Sequence, residues 1–281
     1  MAEKAILDHA VINVRYRMDQ AEGAFRDLGF HLTERGYHTL GSINHLMMFE
    51  SDYLELIGLP ADRQGGQPGR PDIANAPLGI NGLVFKTADV DETYAHLQDL
   101  GMAGDPPKSF SRPVQLAGGA QDARFRTVHL RGDVFPGGRV YYCQHGTPEL
   151  VWRQEWQSHA NGARAIPEFV VASQDQESEA ENFARLLNSD VSGSGESRNV
   201  ALPGGQISVM TPASYGERYG ALATSLGQRS SIFGALVFRT EGLDGIRSLL
   251  AGMANPLPVI DEAERVVVRQ PDFDCLLEFR T

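Results

Sequence analysis

Residues 160–281 of this 281-residue chain contain no histidine; all eight lie at or before His159. Histidine is the commonest general acid/base near neutral pH and the commonest metal ligand. Chemistry is therefore expected in the N-terminal half, with the C-terminal half as scaffold or as a wall of the same cavity. Cysteine is scarce as well. Cys143 and Cys275 have no C-x-x-C spacing, and each falls in a strand-like run, so both read as buried apolar thiols in a reducing cytoplasm. No apolar run approaches the roughly 20 residues that cross a bilayer. Met1 to His9 lacks a basic n-region, so no secretory leader is expected. Neither a phosphate-binding G-x-x-x-x-G-K-[ST] loop, a dinucleotide fingerprint nor a G-x-S-x-G elbow occurs. Gly137 with Gly138, and Pro203 with Gly204 and Gly205, read as hairpin turns. Positive charge is in deficit: 25 Lys and Arg against 36 Asp and Glu leave a net charge of -11. That field repels polyanions and argues against nucleic acid as a partner.

What is present is an ordinary globular composition, 42% apolar and 22% charged, carrying one pattern four times. HAVINV (His9 to Val14), GLVFKT (Gly82 to Thr87), EFVVAS (Glu168 to Ser173) and ALVFRT (Ala235 to Thr240) are rich in branched and aromatic residues, as buried strands are. A helix signal follows each. The first opens at Asp19 with Glu22 three residues on, the second at Asp89 with Glu92, and Gly29 and Gly101 stop them. Ala180, Phe183, Ala184 and Leu187, then Leu243, Ile246 and Leu250, give the apolar faces of the third and fourth. Further strands close each unit: YLELIG (Tyr53 to Gly58), VYYCQH (Val140 to His145), QISVMT (Gln206 to Thr211) and CLLEF (Cys275 to Phe279). A period of roughly 70 to 85 residues is too long for a solenoid and points to a small α+β module used four times. Asp62 to Pro71 is a Gly/Pro-rich loop between the first two units. Gly146 to Arg164 holds both tryptophans, Trp152 and Trp156, and is expected to pack on something, because exposed indoles are a liability.

The βαβββ module in pairs, with histidine in its first strand and glutamate in its last, resembles the vicinal oxygen chelate superfamily, which includes glyoxalase I, extradiol dioxygenases and fosfomycin-resistance enzymes. LDHAVINV, the helix ending in LGF, HTLGSINHLMMF, YLELIG and VYYCQHGTPELVW with HANGA are similar to its glyoxalase-like domain proteins. The resemblance implies an α+β fold of four βαβββ modules paired into two cup-shaped sheets. It divides the chain into an N-terminal glyoxalase-like domain (1–147), a connector (148–165) and a degenerate C-terminal glyoxalase-like domain (166–281).

Superfamily metal ligands sit on the first and last strands of each module. The resemblance maps them to His9 and Glu55, then Gly82 and Tyr142; in the second half it gives Glu168, Ser208, Ala235 and Glu278. The N-terminal cup thus keeps one pair, which implies a divalent metal (Zn, Mn, Ni or Fe) on His9 and Glu55. A third ligand could come from His45, His129, His145 or the side-chain oxygen of Gln144. The competing reading pairs His9 with Glu55 by hydrogen bond. Glu55 is then the catalytic base, with His9 orienting it. His38, Gly41, Ser42 and Asn44 form a polar loop suited to a ligand or to bonding its own turn. Tyr142, His145 and His159 are expected to line the pocket with His38 and Asn44, a backbone-capping role being the alternative around His159. His31 and His96 read as exposed.

Three functions follow. The leading one is a cytoplasmic glyoxalase-like enzyme, of lyase or isomerase type, acting on a small molecule with vicinal oxygens. The others are a metal-free sequestering protein of the bleomycin-resistance kind and a ring-cleaving dioxygenase. A small-molecule substrate is the expected partner, with neither nucleic acid nor membrane, and monomer and homodimer both stay open.

Overall fold

A computed structural model describes residues 5–65 and 69–281. The leader reading at residues 1–4 and the centre of the Asp62–Pro71 loop, residues 66–68, lie outside the described residues. The first half runs β1 (Leu7–Arg15), α1 (Met18–Asp27), β2 (Gly36–Tyr37), β3 (Ile43–Met48) and β4 (Tyr53–Gly58). A short α2 (Pro71–Ala74) follows, then β5 (Gly79–Lys86), α3 (Val90–Asp99), β6 (Lys108–Leu116), β7 (Gly119–His129) and β8 (Arg139–His145). The second half repeats this with β9 (Ala163–Ser173), α4 (Gln176–Leu187), β10 (Val191–Ser192), β11 (Ser197–Leu202) and β12 (Gly205–Met210). After α5 (Pro212–Tyr219) come β13 (Ser231–Thr240), α6 (Asp244–Ala251), β14 (Val259–Asp261), β15 (Arg265–Gln270) and β16 (Cys275–Arg280).

The strands form two eight-stranded sheets of identical plan, β2-β3-β4-β1-β5-β8-β7-β6 and β10-β11-β12-β9-β13-β16-β15-β14. In each, the first strands of two modules run antiparallel at the centre, and each lies parallel to the last strand of its own module. Every strand singled out in the sequence is present. Asp89 caps α3 by accepting from the Asp91 and Glu92 amides. The opening of α1 differs: Asp19 lies inside its first turn, paired with Arg35 at 2.7 Å, and no side chain caps the helix.

Alternation along the strands separates two faces. Ala10, Ile12, Leu54, Leu56, Leu83, Phe85 and Tyr142 face a core shared with Phe169, Leu236, Phe238, Leu277 and Phe279 of the second sheet. Aromatic rings knit the halves there: Phe30 lies 5.4 Å from Phe238 and 6.0 Å from Phe279, and Phe49 lies 5.7 Å from Phe238. The opposite, concave faces differ. In the second sheet α5 fills the cup, with Tyr215 and Tyr219 buried against Val170, Ala235, Val237 and Leu276. In the first sheet the cup is open. No helix among the described residues is long and apolar enough to cross a membrane.

Candidate functional site

The open cup holds a cavity of about 860 Å³. His9 of β1 and Glu55 of β4 face each other on its wall, His9 Nε2 lying 3.5 Å from Glu55 Oε2. Parallel pairing of β1 and β4 sets this, with Val11 opposite Glu55 and His9 two residues earlier on the same face. Asn44 Nδ2 donates to Glu55 Oε1 at 2.7 Å, and the Tyr141 hydroxyl lies 3.4 Å from His9 Nε2.

Asp8 organises the arrangement from behind. It is wholly buried, and its Oδ2 takes His9 Nδ1 at 2.8 Å, His145 Nε2 at 3.0 Å and the Tyr53 hydroxyl at 3.3 Å. Successive strand residues normally point to opposite faces. The register of β1 against β5 shifts between Leu7 and His9, and such a bulge re-aims one side chain. Tyr53 also stacks on the His9 ring at 4.3 Å.

Burial would push Asp8 up, but the charges and hydrogen bonds of His145 and His9 hold its carboxyl well below the usual range. Burial opposes charge on His9 too, yet its bonds to Asp8 and Glu55 win and raise it. Glu55, which burial alone would raise, is brought down to about 2 by its bond to His9, by the charge of His9 and by Asn44. The resting pair therefore carries its proton on His9, between two carboxylates. His38 is different: burial, with Arg112 and Arg70 nearby, brings it down to about 4 against the pull of Glu55. It is neutral, with Nδ1 2.8 Å from Ser42 Oγ.

Of the expected pocket residues, His9, Glu55, His38 and Asn44 line the cavity. Three do not. Tyr142 lies in the shared core, its hydroxyl donating to the Leu186 carbonyl at 3.3 Å. The equivalence used for it is one residue out. His9 is opposite Tyr53 in the parallel pair as Gly82 is opposite Arg139, which makes Tyr141 the counterpart of Glu55. His145 stands behind the wall, bracing Asp8. His159 accepts the His31 amide at Nδ1 (2.9 Å), donates from Nε2 to the Met48 carbonyl (2.7 Å), and packs on Phe30 and Phe49. With Asn161, whose Nδ2 donates to the Leu28 carbonyl at 2.8 Å, it seats the connector by capping backbone. Trp152 packs edge-on to Tyr53 at 5.6 Å under Lys86, so the connector indole is covered.

Among the suggested third ligands, His45 turns away, 2.8 Å from the Thr33 carbonyl and 3.1 Å from Glu22. Gln144 is spent on the Ala88 carbonyl and the Val90 amide. His129 does line the cavity, stacked on Tyr141 at 4.3 Å and kept neutral by burial, but among the described residues it shares no cluster of three His, Cys, Asp or Glu donor atoms. Gly82 supplies no side chain, and a Cβ there would lie 2.8 Å from Val11 Cβ. The donors closest to one another in the cup are His9 Nε2 and Glu55 Oε2, with the Tyr141 hydroxyl beside His9; burial and the Glu55 charge push that phenol well up, so it would meet an ion only as a neutral hydroxyl. A ligating imidazole normally gives its other N–H to a carboxylate, as His9 does to Asp8. A second set, Asp8, Cys143 and His145, brings three donor atoms within 4.8 Å of one another. Burial and the Asp8 and Glu55 charges push the Cys143 thiol well up, so an ion there would have to displace its proton.

The positions equivalent to the ligands in the second cup are closed by a cation. Arg218 of α5 bonds both oxygens of Glu168, at 2.7 and 3.1 Å, and Glu278 at 2.8 Å. Arg280 adds a 2.9 Å bond to Glu168. A guanidinium thus neutralises the carboxylates that face that cup.

Alternation misses Asp8, because only the bulge turns it inward. Tyr53, Arg70, Arg112 and Arg139 of the cavity wall also went unnoticed. For Arg112 a signal existed: Lys108, Phe110 and Arg112 alternate along β6.

Solved structures share this architecture. A hypothetical protein from Staphylococcus aureus superposes with a TM-score of 0.64 at 12% identity, over 98% of this chain and 99% of that one. A mutant 4-hydroxymandelate synthase from Streptomyces coelicolor gives 0.59 at 15%, over 98% and 92%. A Mn(II)-bound glyoxalase from Novosphingobium aromaticivorans gives 0.54 at 12%, over 98% and 81%. No curated protein matches the sequence. Residues 7–187, from β1 through α4, match the model of the glyoxalase-like domain, and the chain belongs to that family of the vicinal oxygen chelate superfamily.

Proposed function

We propose that this chain is a glyoxalase-like enzyme of lyase or isomerase type that moves a proton on a small organic molecule carrying adjacent oxygens. The observation that supports this most is the Asp8–His9–Glu55 array, buried yet facing the cavity. Glu55 is the proton acceptor, its second oxygen fixed by Asn44. His9, oriented by Asp8, presents Nε2 to the oxygen where negative charge develops. The Tyr141 hydroxyl offers a second donor beside it. Stacking on Tyr53 and the 3% exposure of His9 keep water from competing for these bonds. A divalent metal on His9 and Glu55 would polarise the adjacent oxygens and stabilise that charge. Ion and proton compete for His9 Nε2, since a ligating imidazole must be neutral.

A second reading, metal-free sequestration, is favoured by Gly82, which leaves the third ligand position without a donor. A ring-cleaving dioxygenase finds no support in the second cup, where Arg218 occupies the carboxylates.

The test is elemental analysis of purified protein, together with solvent-deuterium exchange into hydroxyacetone and pyruvate followed by proton NMR. Near-stoichiometric Zn, Mn, Ni or Fe, absent from His9→Ala, with exchange lost in Glu55→Gln, supports the enzyme. Exchange that survives in both variants removes His9 and Glu55 from the chemistry. Metal-free protein that binds these molecules without exchange establishes sequestration.

A further inference from the structure

Four cations on the cavity wall have carboxylate partners. Arg70 and Arg139 share Asp72, at 2.7 and 3.1 Å. Lys108 holds Asp105 at 2.8 Å, and Arg131 holds Asp133 at 3.0 Å. Arg112 is the exception. It lines the same cavity and is only 3% exposed, yet its guanidinium makes no hydrogen bond or ion pair among the described residues. Its Nη2 is fully buried and unsatisfied. Glu55 favours its charge only at a distance and makes no hydrogen bond or ion pair to it, its oxygens contacting Asn44 and His9.

A buried charge without a partner is strongly unfavourable, and an anion bound in the cup would relieve it. The position of Arg112 on the wall is fixed by close packing. A Cβ at Gly36 would collide with Asn44 Oδ1 and lie 2.8 Å from Arg112 Cδ, so the glycine lets Arg112 and Asn44 approach the same spot. Arg112 shares its face of β6 with Phe110, which stacks on Phe125 of β7 at 5.2 Å, both on the cavity wall. The cup therefore offers one free guanidinium beside an apolar, aromatic surface. Guanidinium and carboxylate match in plane and spacing.

We propose that Arg112 is the anion anchor of this cup and that the substrate is an organic monocarboxylate with an apolar or aromatic body, its charge on Arg112 and its body against Phe110 and Phe125. This deepens the preceding section and rests on its reading of the cup as the reactive site. It also accounts for a guanidinium left unpaired in a protein of net charge -11. Burial lowers the Arg112 affinity for its proton, a penalty that a bound anion removes.

The experiment compares formate, acetate, benzoate and phenylacetate with their neutral amides, by thermal shift and calorimetric titration on the intact protein. For wild type, at least one carboxylate, benzoate or phenylacetate foremost, binds ten-fold or more tightly than its amide. In Arg112→Met the preference disappears, and in Arg112→Lys part of it returns. The unliganded Arg112→Met protein melts no lower than wild type, because it has lost an unpaired charge; this separates loss of binding from loss of fold. No carboxylate preferred over its amide by wild type, or a preference undiminished in Arg112→Met, overturns the proposal. Hydroxyacetone, which has no carboxylate, reads the Glu55 exchange without the anchor, and the acid–amide comparison reads the anchor without exchange. Failure of the anchor thus leaves the Glu55 test standing, and failure of that test leaves the anchor.

Discussion

Arg218→Met should damage the C-terminal half by an amount the geometry sets. Glu168 and Glu278 are each 2% exposed, and Arg218 bridges them. Without it, Glu168 keeps Arg280 and Ser208, whereas Glu278 keeps the Tyr219 hydroxyl at 3.0 Å as its bond from α5. Removing one partner of a buried ion pair costs about 3–5 kcal/mol, and with Arg280 shielding Glu168 the lower end applies, about 3 kcal/mol. In a chain of this length each kcal/mol moves Tm by about 2 °C, so a fall of about 6 °C is expected. Calorimetry or circular dichroism melts at pH 7 provide the assay. Adding Glu278→Gln removes the stranded carboxylate and should recover a large part of the loss. A Tm within 1 °C of wild type, or a deficit that Glu278→Gln does not reduce, would refute the view that Arg218 neutralises this cup.

Three further outcomes follow from other groups. Asp8→Asn replaces the acceptor of three hydrogen bonds with an amide that cannot fix the His9 tautomer, so metal content or turnover should fall about 10–100-fold while the fold survives; elemental analysis and melts check both halves of that statement. Asp52, which burial pushes up to about 6 despite bonds from Ser51 and the Ile166 amide, contributes stability that is present below about pH 3.8 and lost as pH rises through about 6. Asp52→Asn should therefore gain up to roughly 3 kcal/mol at pH 8 and nothing near pH 4, read from denaturant melts. His159, brought down to about 4 by burial, has the opposite sign: its contribution is full above pH 6.5 and lost as pH falls toward 4. His159→Phe should lower stability at pH 7 by about 2 kcal/mol, from two lost hydrogen bonds, and flatten that part of the acid limb.

The architecture was legible because each strand repeats a run of branched apolar residues and each helix an apolar face. Those signals depend on local periodicity, which burial enforces equally in all four modules. Asp89 and the glycines Gly29 and Gly101 marked helix ends for the same local reason, and Gly29 and Gly101 have φ of +78° and +69°. α5 was not legible. Pro212 after Thr211 signals a helix start, but nothing local in PASYGERY tells that its tyrosines enter the cup of a sheet built from distant strands.

Errors in the site came from register and from side chains whose partners are remote. Sliding β8 by one residue exchanged Tyr141, on the wall, for Tyr142, in the core, because the side-chain period of a strand is two. Asp8 carried no parity signal for this face, because the register of β1 shifts beside it. His145 and His159 are polar and lie near aromatics in sequence, which suits a pocket. Their partners, Asp8 and Met48, are far along the chain and convert them into braces. The absence of histidine after residue 159 coincides with the cup that α5 fills. An imidazole can accept and release a proton near neutral pH, whereas the Arg218 guanidinium cannot. Once Arg218 stood between Glu168 and Glu278, the second cup held a permanent cation where the first holds an exchangeable proton on His9. Two sheets with one plan therefore arrive at opposite uses: one cup closed by a fixed charge, the other left open around a charge that can move.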